Sequence, residues 1–226
     1  KYFLAYSFQK SYNYYRIQYV FIYCFGGKNM KASVAFAALA VVSGVSQMTL
    51  AALPSNYRQL EYVELTGSQY FSTGQVLSQD PGYEVDFKYY TSVAVNDGHV
   101  FGTSGDYNYA CWTEYKGSYY YGGGLYHCGT WNQAVHTVVY NRAGDNAIVL
   151  DGAVMVNDGN SHYSPNAAEI GKRGNAVRFQ GYIYYFKIID HQTGQAVVDL
   201  VPVRCLDNNA VGFYDLAKGV FVPPVG

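Results

Sequence analysis

A segment near the C-terminus restricts the fold most, because it has apolar side chains on both of its alternating faces. This segment, GYIYYFKIID at 181–190, is followed by VVDLVPVRC at 197–205 and VGFYDLAKGVFV at 211–222. Regular alternation along a strand divides its apolar residues into two sets. They are Phe179, Ile183, Tyr185 and Ile189 on one side, and Tyr182, Tyr184, Phe186 and Ile188 on the other. A strand with two apolar faces must be covered on both, so the segment predicts a central strand of a layered β structure.

The chain after residue 51 has the pattern of strands and turns throughout. Helical periodicity is nearly absent, and short alternating runs are separated by turn residues. In the run 83–89 the odd positions are aromatic or apolar and the even positions are charged, which predicts one buried and one solvated face. Asp151-Gly152 lies between two apolar runs and predicts a type I′ hairpin turn. About a dozen such strands predict an all-β fold, a two-sheet antiparallel jelly-roll sandwich.

Charge is distributed unevenly along the chain. Residues 1–51 contain five Lys and Arg and no acid, a balance of +5, whereas residues 52–226 contain ten Lys and Arg against sixteen Asp and Glu, a balance of −6. Such asymmetry is typical of a targeting segment ahead of a folded domain. The acidic balance of 52–226 argues against nucleic acid as a partner, because phosphate binding needs clusters of Lys and Arg.

The end of the basic segment has the pattern of a secretory signal peptide. MK at 30–31 is followed by ASVAFAALAVVSGV at 32–45 and then by small residues. The alternative is a membrane-spanning helix, but the apolar run is shorter than the roughly 20 residues that a span needs. We therefore predict a signal peptide at 30–51 and one domain at 52–226, secreted or displayed at the cell surface, with no membrane span in the mature form. Residues 1–29 are expected to be an untranslated or disordered extension.

Two segments resemble a known family. LPSNYRQLEYVELTGSQYFSTG at 53–74 is similar to an opening of the form Leu-Pro-x-x-Tyr … Glu-Tyr-[Ile/Val]-x-x-Thr-Gly-x-Gln-Tyr, and VGFYDL at 211–216 is similar to a closing Gly-x-[Phe/Leu]-Tyr-Asp-Leu strand. Both occur in the concanavalin A-like (laminin-G-like) jelly-roll domains of secreted bacterial and phage surface proteins. The resemblance spans nearly all of 53–226. It implies a concanavalin A-like β-sandwich, a scaffold that carries lectins, glucanases and structural modules alike.

Glu84 and Asp86 form the pattern that points most directly to catalysis. Residues two apart on a strand lie on one face, where two carboxylates can flank a glycosidic bond. The glucanases of the resembled family continue this pattern to another Glu, but Lys88 and Tyr89 occupy those positions here. The alternative is the solvated outer face of an edge or near-edge strand. We therefore predict no catalytic residues and no enzymatic activity, with a glycoside hydrolase as the least favoured class.

Aromatic residues are concentrated between 107 and 131. Tyr and Trp offer a flat apolar face with a polar rim, which suits stacking on a sugar ring. The predicted carbohydrate site has Trp112 and Trp131 as platforms and Tyr109, Tyr120 and Asn132 as rim partners. The alternative is that these rings are partly core and partly surface of a sheet, because strands alternate. The predicted function is lectin-like carbohydrate binding at a cell surface or extracellular matrix. The alternative is a structural or adhesive protein–protein module.

Two further sets of residues are candidates for calcium binding and for a disulfide bond. The resembled modules often bind calcium between loops, so the resemblance implies calcium as the one cofactor to consider, with Asp145 and Asp158 as weak candidate ligands. Cys111 and Cys128 flank a predicted hairpin and are the expected disulfide of an exported protein. The alternative is that these two and Cys205 are buried thiols.

Overall fold

The chain divides into two compact units, Lys1–Ser46 and Gln47–Gly226. The computed structural model describes these residues: 10–11, 14–15, 52–92, 98–103, 109–112, 118–122, 124–127, 132–157, 159–177 and 179–226. In the first unit the described residues form a short antiparallel hairpin of β1 (Lys10–Ser11) and β2 (Tyr14–Tyr15).

Most of the predicted leader lies outside the described residues. The signal peptide predicted at 30–51 falls there entirely, and the extension predicted at 1–29 is described only in its short hairpin. These boundaries therefore stay predictions.

The second unit consists of strands joined by turns and loops. In chain order the strands are β3 (Tyr57–Gln59), β4 (Val63–Thr66), β5 (Phe71–Val76), β6 (Tyr83–Thr91), β7 (His99–Thr103), β8 (Tyr109–Trp112), β9 (Ser118–Tyr121), β10 (Gly124–His127), β11 (Val135–Tyr140), β12 (Ile148–Leu150), β13 (Ala153–Val156), β14 (Ala167–Ile170), β15 (Lys172–Arg173), β16 (Ala176–Val177), β17 (Gln180–Asp190), β18 (Ala196–Cys205), β19 (Val211–Asp215) and β20 (Val220–Val222). Where the chain is described, it contains no helix long and apolar enough to cross a membrane.

These strands form two antiparallel sheets and one small hairpin. The small sheet has six strands in the order β10-β9-β8-β7-β14-β5. The large sheet has ten, in the order β13-β12-β11-β6-β17-β18-β19-β20, with β3 joined to β18 and β4 joined to β17. The hairpin consists of β15 and β16. The runs of alternating apolar and polar residues, together with the near absence of helical periodicity, predicted this all-β arrangement.

Aromatic side chains from both sheets pack together in the core. Phe87 of the large sheet meets Phe101 of the small sheet with ring centroids 5.2 Å apart. Phe71 and Phe213 make a second contact of this kind, at 4.7 Å. All four side chains are fully buried. The predicted antiparallel β-sandwich is therefore confirmed.

Strand β6 has the predicted alternation but a different place in the sheet. Its odd-numbered residues from Tyr83 to Thr91 are buried, and the even-numbered residues between them are only partly buried. The strand lies between β11 and β17, so the interpretation of Glu84 and Asp86 as part of an edge or near-edge strand is wrong. The physical reason is that β11, β12 and β13, which come later in the chain, extend the sheet beyond β6.

Strand β17 is central, as predicted, but the predicted division of its side chains between two faces is wrong beyond Ile183. Its register against β6 shifts between Ile183 and Tyr185, which leaves Tyr184 as the extra residue of a β-bulge. Phe186 and Ile188 are consequently buried in the same core as Ile183. Tyr184 and Tyr185 are only partly buried. The second face of this strand is therefore a partly exposed row of tyrosines and not a second core.

The opening segment of the domain fills the gap between two diverging strands. β4 pairs with the first residues of β17, and β3 pairs with the last residues of β18. Between them the backbone N–H of Leu60 donates to the carbonyl oxygen of Pro202 over 2.9 Å. The chain crosses here from β18 to β17. Tyr62, which directly precedes β4, therefore lies beside β17.

The turn predicted at Asp151-Gly152 is confirmed. It joins β12 to β13, and both residues have positive φ, 50° for Asp151 and 84° for Gly152, as a type I′ turn requires. The Asp151 carboxylate accepts a hydrogen bond from the backbone N–H of Thr137 over 2.9 Å and lies 2.7 Å from Nδ1 of His136. These contacts tie the turn to β11.

Candidate functional site

Four tyrosines form a continuous group of rings on the outer face of the large sheet. We call Tyr62, Tyr90, Tyr182 and Tyr184 the tyrosine ladder. The ring of Tyr182 stacks on that of Tyr62, with centroids 4.3 Å apart, and on that of Tyr90, at 5.3 Å. The planes of these pairs differ by 24° and 17°. Tyr184 meets Tyr62 edge-on at 5.9 Å. The ladder thus connects three neighbouring strands.

The strand register and the bulge position these rings. Tyr182 of β17 lies directly opposite Tyr90 of β6 on one side and opposite Glu64 of β4 on the other. Tyr90 occupies an even position of β6, on the face away from the core. The bulge places Tyr184 beside Lys88, whose Nζ lies 5.1 Å from the centre of the Tyr184 ring. The outer face therefore carries both rings and charges.

The ladder is accessible on the outer face of the large sheet. Tyr62 is 37 % exposed, and the other three tyrosines are partly buried. Among the residues that the structure describes, none of the four hydroxyls makes a hydrogen bond. The ladder therefore offers apolar ring surface together with four hydroxyls that are available to a ligand.

Two carboxylates lie close enough to influence the ladder. The charge of Glu64 is the main cause that raises the pKa of Tyr182. The pKa of Tyr184 is raised first by burial and then by the charge of Glu61. Both glutamates are exposed. In the described part of the chain, neither glutamate forms an ion pair or a hydrogen bond.

A second polar row continues along the same outer face. The Tyr185 hydroxyl donates to Oδ1 of Asp86 over 2.9 Å. Lys187 lies opposite Asp86 on β6 and opposite Asp199 on β18, and its Nζ is 3.2 Å from Oδ1 of Asp199. Burial and the neighbouring charge of Asp86 raise the pKa of Tyr185. This row is hydrogen-bonded within itself.

The predicted carboxylate pair, Glu84 and Asp86, shares this face but is engaged by other groups. Glu84 Oε2 accepts from the backbone N–H of Ala143 over 2.8 Å, and Asp86 accepts from Tyr185. Burial raises the pKa of both carboxyl groups. The position where the glucanase pattern has its further Glu holds Lys88, and its ammonium group lies over an aromatic ring.

The raised pKa of Asp86 leads to a prediction about stability and pH. In the folded state the Asp86 carboxyl stays protonated to a higher pH than in the unfolded chain, where its pKa is about 4. The free energy of unfolding therefore falls as pH rises from there through the folded pKa. Asp86→Asn keeps an acceptor for Tyr185 and removes this fall, so the variant should gain stability over the parent at neutral pH but not in acid. Urea unfolding at both pH values measures the difference, and an equal difference at both would contradict the prediction.

The predicted aromatic site lies mostly outside the described side chains. Trp131 is not described, and Tyr109, Trp112 and Tyr120 are described only as backbone of β8 and β9. Asn132 is exposed, and its Oδ1 lies 3.0 Å from Nε2 of His136. The structure therefore leaves this site a prediction, and it gives Asn132 a partner within the chain.

The candidate calcium ligands and cysteines are placed only in part. Arg142 forms a two-armed ion pair with Asp145, and this hydrogen bonding lowers the pKa of that carboxyl. Asp158 and Cys128 are not described, and Cys111 is described only as backbone. Cys205 is a buried free thiol. The described residues contain no group of three or more His, Cys, Asp or Glu able to hold a metal ion.

The tyrosine ladder was not predicted from the sequence, because the residues of β17 were assigned to two core faces. One signal was available: between Tyr182 and Ile188 the buried positions hold Ile and Phe, whereas the outer positions hold Tyr and Lys. Tyr has a hydroxyl that must be solvated or bonded, so a face made of Tyr is typical of a surface.

Comparison with known proteins does not supply a family for this chain. No family model matches it, and no curated protein matches it.

Proposed function

We propose that residues 52–226 form a secreted, non-catalytic, lectin-like domain that binds carbohydrate on the tyrosine ladder. The observation that carries this proposal is the group of four accessible rings whose hydroxyls have no partner among the described residues. The C–H face of a sugar packs against aromatic carbon, while its hydroxyls bond to polar groups at the ring edge. The ladder supplies both kinds of contact on one surface.

The finer fold belongs to the same proposal. We assign a concanavalin A-like jelly roll on the resemblance of the segments 53–74 and 211–216. In support, the first contributes β3 and β4 and the second contributes β19, and all three strands join the large sheet. The signal-peptide pattern at 30–51 supports secretion to a cell surface or extracellular matrix.

The absence of catalysis is also proposed. A glycosidase of the retaining or inverting class needs two carboxyl groups placed on either side of the bond that breaks. Glu84 and Asp86 each accept an internal hydrogen bond, from the backbone N–H of Ala143 and from the Tyr185 hydroxyl. Lys88 in place of the further Glu supports a binding role for this face.

A glycan array probed with the full chain tests the proposal. We expect saturable binding to a subset of glycans, and we expect it to persist when calcium is removed with a chelator. Failure to bind any glycan, with or without added calcium, would overturn the lectin assignment. The structural or adhesive protein–protein module would then be the better description.

A further inference from the structure

We infer that the ligand of the tyrosine ladder carries a protonated amino group, so that among glycans the preferred class is amino sugars with free amines. This inference rests on the proposed carbohydrate-binding function. It follows from the carboxylates beside the ladder, from the cation that already contacts one of its rings, and from the net charge of the domain.

Negative charge is in excess beside the rings of the ladder. Glu64 is exposed and lies directly opposite Tyr182 in the pairing of β4 with β17. Glu61 is exposed as well, and its charge acts on Tyr184. In the described part of the chain, neither glutamate has an ion pair or a hydrogen bond. Two carboxylates that have no partner among the described residues thus border a surface of four phenol rings and one ammonium group.

One cation is already present on the ladder. The ammonium group of Lys88 lies 5.1 Å from the centre of the Tyr184 ring, within the range of a cation–π contact. Lys88 offsets only one of the two nearby negative charges. A ligand ammonium placed over Tyr62, or beside the hydroxyl of Tyr182, would complete the balance, with Glu64 as its charge-assisted hydrogen-bond partner.

The domain as a whole is acidic. Residues 52–226 have a balance of −6, which favours the approach of cations over anions. A free amino sugar combines the three features that the ladder recognises, namely a C–H face, hydroxyls and a positive charge. An N-acetylated sugar keeps the first two and loses the third, so the two forms can separate charge recognition from sugar recognition.

The test compares glucosamine oligomers with N-acetylglucosamine oligomers of equal length, titrated calorimetrically into the full chain in mildly acidic buffer, where the amines are protonated. We expect the free-amine oligomers to bind about three- to tenfold more tightly at low salt, the range expected for an exposed ion pair with a cation–π contact. High salt should reduce this preference.

Two variants identify the source of the preference. Glu64→Gln should abolish it, so that the two kinds of oligomer bind with nearly equal affinity. Asp80→Asn is the matched control. Asp80 is exposed and accepts a hydrogen bond from Gln192 at the end of β6 and β17 that is opposite to the ladder. The preference for free amines should therefore persist in this variant. Equal binding of both oligomers, or a preference that survives Glu64→Gln, would overturn the inference while leaving carbohydrate binding intact. Binding of neither oligomer, together with no binding on the glycan array, would overturn the proposed function as well.

Discussion

Replacing Tyr182 with Ala is expected to remove most of the affinity of the protein for its glycan. Tyr182 is the middle ring of the ladder and stacks on both Tyr62 and Tyr90. Without the Tyr182 ring, Tyr62 and Tyr90 lose the neighbour on which both stack. The ligand then loses the central ring of its binding surface. We expect a loss of about thirtyfold or more, which corresponds to about 2 kcal/mol, as for other central aromatic contacts. Calorimetric titration with a glycan identified on the array measures it.

Two further variants control this result. Tyr182→Phe keeps the stacked ring and removes only the hydroxyl, so it should lose about fivefold, the equivalent of one hydrogen bond. Tyr163→Ala removes an exposed tyrosine that lies outside the ladder and should leave the affinity unchanged. Unchanged binding by Tyr182→Ala would show that the ladder is not the binding surface.

The largest effect on stability is expected from Phe87→Ala. Phe87 is fully buried in the middle of β6, and its ring contacts those of Phe101, Tyr140 and Phe186 at 5.2 to 6.3 Å. One of these partners comes from the other sheet, so the truncation leaves a cavity at the point where the two sheets meet. We expect the free energy of unfolding to fall by about 3–5 kcal/mol, as for other buried Phe residues. Guanidinium unfolding measures the loss.

Val154→Ala is the control for this prediction. Val154 is 50 % exposed on β13, the last strand of the large sheet as described, so its truncation should change stability by no more than about 0.5 kcal/mol. A loss below about 1 kcal/mol for Phe87→Ala would be too small for a large core residue and would contradict the packing of the two sheets through this ring.

The sequence predicted most strands because their alternation is local. The run 83–89 and the Asp151-Gly152 turn were identified correctly, since the pattern of burial and the positive φ values depend on a few adjacent residues. The break between β3 and β4, by contrast, has no such local signal. The break depends on the contact of Leu60 with Pro202, a residue far away in the sequence, which no local pattern contains.

The binding face was not predictable to the same extent. A β-bulge adds one residue and reverses the alternation of every residue after it, so the assignment of Tyr185 and Phe186 to faces failed once Tyr184 was inserted. The neighbours of Tyr182 come from β4 and β6, and only the sheet register brings Glu64 and Tyr90 to its two sides. The presence of many tyrosines was visible in the sequence, whereas their stacking required the pairing of strands.

NMR of the full chain with labelled tyrosine rings, titrated with a bound glycan, tests the central claim most directly. We predict that the ring signals of Tyr62, Tyr90 and Tyr182 shift together and saturate at the concentration that calorimetry gives for binding. Shifts confined to the tyrosines between 107 and 131, with the ladder unchanged, would contradict the account and place the site in the aromatic middle of the chain.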